Sequence, residues 1–416
     1  MDSLIRKSET SIAEALASWQ AQLTQKGSSL EEEVAERYVS RWTSPNLSHV
    51  MKIRTALVLG LEEYLASEGL VNIDRVTISP VTDPLCHGVE HVPVISYQNV
   101  PYRTTHSMIY SKFLACMSPH IPGVFIDSPN IRLELPSSDG SMRKKYLIDF
   151  SQMDIERRRH TPIASDGYFR DPDTVTSILQ EDRDRALDFF EDLIIHAVKK
   201  VRSSCSESLK ALGIALDIPQ KPFPRFFKDE WLEKGESEKG LEKKLGKIAG
   251  TQFFWVLGLL RENYDLVYPF LQEDGSIPEP GDITSRQIFN YDLCAAAKYL
   301  DGSLGDAWEV LSGGLREWFF PAIIARLLAN NVLREAPVFD GKGNITNLDK
   351  LDGYGPFLLA ASMKDSGGEP IFPQTFGGGL GIERSLFALL QGPKIRQIEE
   401  ITYFGKNPDI PGPFLF

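Results

Sequence analysis

The chain is expected to fold as an α+β protein with an antiparallel sheet. Three observations lead there. Short strand patterns dominate between Val71 and Glu156, and they return near 336–348 and 354–362. Helical patterns fill much of the interval, with a long amphipathic stretch at 181–202 and a mostly helical reading of 230–320. Finally, Phe372–Arg384 (FPQTFGGGLGIER) is an apolar strand-like run that ends in glycines and passes at once into a helical pattern, Leu386, Phe387, Leu389 and Leu390. Strands, a helical insertion, then strands closing the same core are the order of an α+β sheet rather than of repeated βαβ units.

Taken in order, residues 1–45 read as two amphipathic helices. Ser11 with Glu14, and Ser29 with Glu32, have the spacing of a capping box. A further helix over 48–69 places Val50, Ile53, Leu57, Leu61 and Leu65 on one face, and Gly69 stops it. Val71 to Pro80 reads as a strand. Ile131–Glu156 (IRLELPSSDGSMRKKYLIDFSQMDIE) reads as a hairpin, strand-like at both ends with a polar turn at 136–142. Residues 181–202 are acidic at the start and basic at the end, as the helix dipole prefers. The domain reading is a helical extension over 1–45 and one large domain over 46–416, with a helical insertion at about 230–330.

Composition narrows the function. The 416 residues are 42% hydrophobic, enough to bury a substantial core. Net charge is 45 − 57 = −12, which argues against a general nucleic-acid binder, whose affinity would come from neutralising phosphates. The four cysteines, Cys86, Cys116, Cys205 and Cys294, are scattered, with neither metal-ligand nor disulfide-dense spacing. No apolar run reaches the ~18–20 residues of a membrane span, and the N-terminus lacks the form of a signal peptide. A cytoplasmic protein without a membrane partner is expected.

Three constellations carry candidate chemistry. In the glycine run Gly377–Gly379 and Gly381, the absence of a Cβ lets a ligand lie on the backbone, and Arg384 presents a planar charged fork to phosphate or stacks on a purine. A tight strand-to-helix turn is the plain alternative. In the hairpin, alternation puts Arg132 and Glu134 on one face, and Phe150, Gln152, Asp154 and Glu156 on one face of the second strand. Arg132 can bridge phosphate oxygens and Phe150 can stack on a base; ordinary cross-strand charge pairs are the alternative. The third is HSMIYSK, His106–Lys112, where Lys112 could hold a substrate carboxylate and Ser107 orient it.

Together these pieces resemble class II aminoacyl-tRNA synthetases. The helix ending at Gly69 with the strand to Pro80 looks like motif 1, a dimerisation element; Arg132–Glu134 with Phe150–Glu156 looks like motif 2; GGGLGIER looks like motif 3. KPFPRFFKDEW (Lys221–Trp231) and IRQIEEITYF are similar to asparaginyl-tRNA synthetase, while PQTFGGGLG, HSMIYSK and FSQMDIE are closer to ammonia-dependent asparagine synthetase. The resemblance implies an antiparallel sheet flanked by helices, usually in a homodimer, that binds ATP and Mg²⁺. It implies that Arg132 and Glu134 belong to the ATP site with Gly379 and Gly381, that Arg132 contacts the α-phosphate, and that Phe150 and Arg384 sandwich adenine. Catalytic roles fall on Arg132, Arg384 and Gln152. On the substrate side it implies His87, His106, Ser107, Lys112, Gln152 and Gly378.

The chain also departs from the pattern. About 45 helical residues stand where the tRNA synthetase carries a β-barrel, so tRNA is not expected as a partner. Pro356 falls at the place of a metal-binding acid, so either the metal is held differently, by Asp349, Asp352 or Asp154, with Asp349 and Asp154 the chosen candidates, or ATP activation is weakened or lost. Tyr146 stands for a motif 2 His, and Met108 for an amide-reading Gln. The reading is an ATP-dependent ligase that forms an adenylate of aspartate or a related acid and passes it to ammonia or a small amine. Two other readings stay open: a non-catalytic paralogue that binds an amino acid or nucleotide, and a repurposed core running different biosynthetic chemistry.

Overall fold

Ser11 and Ser29 do cap helices, each with its Glu three residues on completing a capping box. They open α1 (Ile12–Gln25) and α2 (Leu30–Val34), which continues through a π-helical turn, Ala35–Val39, into α3 (Ser40–Trp42). The computed structural model describes residues 11–81, 92–164, 167–232, 240–260, 264–410 and 412–413. Next comes α4 (Pro45–Ser67), which starts on a proline, as first-turn geometry favours, and ends before Gly69 at φ +78°.

The following elements are β1 (Val71–Asn72), β2 (Ile78–Ser79), β3 (Val94–Tyr97), β4 (Val100–Thr104), α5 (Ile109–Ala115), β5 (Gly123–Ile131) and β6 (Asp149–Arg158). The long helix α6 (Pro172–Leu212) leads to β7 (Arg225–Phe227), α7 (Lys228–Leu232), α8 (Leu241–Ala249), β8 (Phe253–Leu257), β9 (Asn290–Lys298) and β10 (Leu304–Leu315). The chain closes with α9 (Phe320–Ala329), α10 (Gly355–Ser362), β11 (Thr375–Gly381) and α11 (Ile382–Leu390).

One sheet of eight strands runs β1-β5-β6-β11-β10-β9-β8-β7, antiparallel except for the two edge pairs β1–β5 and β7–β8. A small separate sheet has the order β2-β4-β3. Alternation divides the large sheet. Met153, Ile155, Leu293, Ala295, Leu311 and Leu380 enter the main core with α4, α6 and α11. On the other face, a second core gathers α5, α9 and α10 around Tyr110, Phe357 and Phe372, and α8 covers Cys294, Ala296 and Phe254.

Several expectations fail here, and 336–348, read as strand, holds only the isolated bridge Phe339–Ile345. Residues 230–320 are not mostly helical: three strands of the main sheet, β8, β9 and β10, lie there. FFWVL and NYDLCAAAK are apolar on both faces because both faces are covered, and such a run lacks the alternation that distinguishes strand from helix. The stretch 354–362 is helix α10, with Pro356 in its first turn and Phe357, Leu358 and Ala361 buried on one side. The motif 1 strand is also split, since β1 joins the large sheet and β2 the small one.

Candidate functional site

The site grows from the pairing of β6 with β11. Gln152 lies opposite Gly381, Asp154 opposite Gly379 and Glu156 opposite Gly377. These three β6 side chains share the face turned away from the main core, and the three glycines leave the neighbouring strand bare. A Cβ on Gly379 would stand 3.2 Å from Gln152 Nε2 and 3.3 Å from Asp154 Oδ1, while one on Gly377 would collide with the Glu156 carboxylate. Gly378 is different. It pairs with Ile155 and its missing side chain points at Leu311, so it faces the main core rather than the substrate side expected of it.

A strip of half-buried residues remains open above this floor: Phe150, Gln152, Gly379 and Gly381, continuing to Ser312 and Glu309 on β10. Arginines border it at two places. Arg132 donates from Nε and Nη2 to the His106 carbonyl oxygen at 3.1 and 2.9 Å, and its guanidinium lies 5.2 Å from the Phe150 ring centre. Arg384, in the first turn of α11, lies 5.1 Å from the Tyr146 ring centre and donates to Glu309 Oε1 at 3.3 Å. Each arginine therefore rests on its own aromatic ring; the expected partner of Arg384 across an adenine was Phe150. Glu383, its neighbour in sequence, is structural: its carboxylate accepts from Ser151 N at 2.8 Å and ties α11 to β6.

Below the strip lies a buried ionic chain. Lys112 Nζ is 2.9 Å from Asp154 Oδ1 and 3.9 Å from Glu156 Oε2. Arg316 Nε donates to Glu156 Oε1 at 3.2 Å, and its Nη1 to Asp265 Oδ1 at 2.7 Å. Thr375 Oγ1 donates to Glu156 Oε1 at 2.6 Å, and Asn290 Nδ2 to Asp265 Oδ2 at 3.0 Å. Burial works against the charge on Arg316, but the carboxylates of Glu156 and Asp265 more than offset it and hold its pKa above the usual arginine value.

Of the substrate-side residues, Lys112 and Gln152 come together over β6; Ser107 is half-buried just ahead of α5 and His106 is buried beside Arg132. Glu134 is buried just beyond β5. His87 lies outside the described residues, as does Cys86.

The two expected metal ligands do not fit the role. Asp349 is exposed in the turn Leu348–Lys350, below the second core. Asp154 is almost fully buried against the Lys112 ammonium, whose charge opposes a cation at the same carboxylate. Pro356 belongs to the first turn of α10, and its side chain offers no oxygen donor. The oxygen donors beside the strip are Asp292 and Glu309. Asp292 pairs with Ser312, and Glu309 with Cys294 two residues along the same face of β9, across a bulge. Diagonal neighbours of this kind have side-chain roots roughly 7–8 Å apart. Among the described residues no group of three or more His, Cys, Asp or Glu side chains is gathered for a metal. Two carboxylates fit Mg²⁺ when phosphate oxygens and water supply the remaining ligands.

Sequence reading missed Arg316, Asp265, Asp292 and Glu309. For all but Asp265 a signal existed: polar residues set within the apolar runs NYDLCAAAK and EVLSGGLRE, one of them beside a second glycine pair, Gly313–Gly314, opposite Gly378 and Gly377.

This arrangement is the class II synthetase architecture: a glycine-lined antiparallel floor, a strand-loop-strand bearing one arginine, and a strand-to-helix junction bearing another. The chain shares its fold with the class II aminoacyl-tRNA synthetases and is similar to them in sequence. Among curated relatives, the aspartate–tRNA(Asp/Asn) ligase of Methanoculleus marisnigri is 23% identical over 368 residues, covering 85% of this chain and 68% of that protein. The aspartate–tRNA(Asp) ligase of Pyrococcus furiosus is 22% identical, with the same coverages. Among solved structures, Entamoeba histolytica asparaginyl-tRNA synthetase in complex with asparaginyl-adenylate aligns with a TM-score of 0.61 at 16% identity, covering 93% of this chain and 73% of that one. The Pyrococcus horikoshii asparaginyl-tRNA synthetase complexed with asparaginyl-adenylate gives 0.56 at 17%, covering 89% and 71%. These structural likenesses establish the fold. No family model matches the chain.

Proposed function

We propose that the chain is an ATP-dependent ligase that activates an amino acid as its adenylate. The observation that carries this reading is the open strip over Gly379 and Gly381, bordered by Arg132 and Arg384 and flanked by Asp292 and Glu309. Arg132 would meet the α-phosphate, where charge builds as the carboxylate attacks phosphorus, and a fixed guanidinium there stabilises that charge without reorganising. Arg384 and the aromatic rings Phe150 and Tyr146 would hold the purine. Asp292 and Glu309 would hold Mg²⁺, which supplies charge neutralisation to the phosphates. Lys112 and Gln152 would orient the acid so that its carboxylate oxygen lies near the phosphorus, a positioning effect.

The substrate in this reading is aspartate or a related acid, and the acceptor is ammonia or a small amine. The likeness of HSMIYSK and FSQMDIE to asparagine synthetase supports that choice. A second reading, with tRNA as acceptor, is favoured by the names of the relatives. A homodimer belongs to either reading. The exposed Val71 on β1, just after the motif 1 helix, and the exposed Ile78, Val94, Ile95 and Tyr97 on the small sheet support it.

The test is AMP release from ATP and Mg²⁺ with a panel of amino acids, each with ammonia, with small amines or with tRNA, comparing the native protein with Arg132→Ala. AMP that requires one acid and falls at least ~100-fold in Arg132→Ala supports adenylation. The acceptor that accelerates release names the second half-reaction. No AMP with any acid, in folded protein, overturns the ligase and favours a non-catalytic paralogue.

A further inference from the structure

We propose that Asn407 and Asp409, near the C-terminal end, are positioning residues for the nucleotide site. The proposal rests on the ATP reading of that site.

The hairpin connection from Leu135 to Ile148 carries little structure of its own beyond the short 3₁₀ turn Ser141–Lys144. Distant residues hold it instead. The Asp409 carboxylate accepts from Ser137 N and Ser137 Oγ, both at 2.6 Å, and from Met142 N at 2.9 Å. Hydrogen bonds to an ionised acceptor are roughly twice as strong as neutral ones. Asn407 is fully buried. Its Nδ2 donates to the Met142 and Tyr146 carbonyl oxygens at 3.0 and 2.7 Å, and its Oδ1 accepts from Asp409 N at 3.0 Å. Both amide hydrogens are thus committed to the connection, one of them at the residue whose ring supports Arg384.

A second line runs to the other arginine. Ile148 N donates to Lys406 O at 2.9 Å, and Arg132 N donates to Ile148 O at 2.9 Å. The C-terminal segment therefore extends the ladder by which β6 holds the Arg132 backbone. The segment is itself anchored: Arg41 Nη2 and Trp42 Nε1 donate to Tyr403 O at 2.6 and 2.8 Å, and Arg143 pairs with Glu399. The chain of contacts runs from the N-terminal helices through residues 399–409 to the hairpin connection and on to both arginines. In this way Arg41 and Trp42 of the N-terminal extension gain a part in positioning the site.

The experiment measures ATP affinity by calorimetry, together with backbone hydrogen exchange over 136–148, in the native protein, Asp409→Asn and Asp409→Ala. Thermal melting checks that each is folded. In Asp409→Ala, ATP affinity is expected to drop about 10-fold or more, with faster exchange confined to the connection. Asp409→Asn, which keeps one acceptor and the shape, should fall between Asp409→Ala and the native protein. Unchanged ATP affinity in folded Asp409→Ala, or unchanged exchange over 136–148, overturns the proposal. If the native protein binds no ATP, the nucleotide reading fails and the positioning role with it. Exchange then shows separately whether Asp409 holds the connection.

Discussion

Removing the Lys112 ammonium should cost this protein much of its stability. Lys112 is the ion-pair partner of Asp154, whose side chain is 3% exposed and whose Oδ2 has no hydrogen-bond partner among the described residues. Glu156 is less dependent on it, because Arg316 and Thr375 also serve that carboxylate. In Lys112→Met the methylene volume is roughly kept, so packing changes little and the loss is mainly electrostatic. Breaking a buried pair by removing one partner costs ~3–5 kcal/mol, since the remaining charge stays out of water. That is a large share of the ~5–15 kcal/mol that holds a typical domain. Urea denaturation at pH 7 reads it as a lower midpoint at unchanged slope. The double variant Lys112→Met/Asp154→Leu removes both charges and should recover most of the loss, because an apolar pair of similar size is often neutral or better. A loss below ~1 kcal/mol in the single variant, or no recovery in the double, would refute the reasoning that this pair is dry and that Asp154 depends on Lys112.

Further expectations concern pH, the glycines and the metal. Burial raises the Glu317 carboxyl to about 7. Its folded pKa thus exceeds its unfolded one, so its contribution is fully present below the ordinary carboxylate range and is lost as pH rises through about 7. The midpoint of the native protein should fall by the equivalent of ~2–3 kcal/mol more than that of Glu317→Gln between pH 4.5 and 8, as measured by denaturation at each pH. Gly377→Ala should destabilise strongly or prevent folding, because its Cβ would strike both the Glu156 carboxylate and the Ile155 carbonyl. Gly379→Ala, with its nearest atoms at 3.2–3.4 Å, should fold and lose ligand affinity by roughly 10-fold or more, read by calorimetry with ATP. Asp292→Asn and Glu309→Gln should each raise the Mg²⁺ concentration needed for half-maximal AMP release, while Asp349→Asn should leave it unchanged.

Local signals in the sequence determined a good deal. The capping boxes at Ser11 and Ser29, the α4 stripe ended by Gly69 and the Gly377–Arg384 strand-to-helix junction rest on contacts within a few residues and appear as read. The hairpin differs: β5 ends at Ile131, so Arg132 and Glu134 lie in the 132–148 connection and not on the strand expected to run up to a 136–142 turn. Phe150 and Gln152 were legible as candidate-site residues because strand alternation puts them on one face wherever the strand lies. Tertiary structure alone decided the rest. Phe253–Leu257 and Asn290–Lys298 became strands because both their faces were covered, a fact absent from their own pattern. The metal candidates moved from Asp349 and Asp154 to Asp292 and Glu309 because a carboxylate's use depends on its neighbours: Lys112 claims Asp154, while strand pairing sets Asp292 opposite Ser312 and Glu309 lies beside Arg384. The hold of Asn407 and Asp409 on the hairpin spans more than 260 residues, so no local pattern could report it.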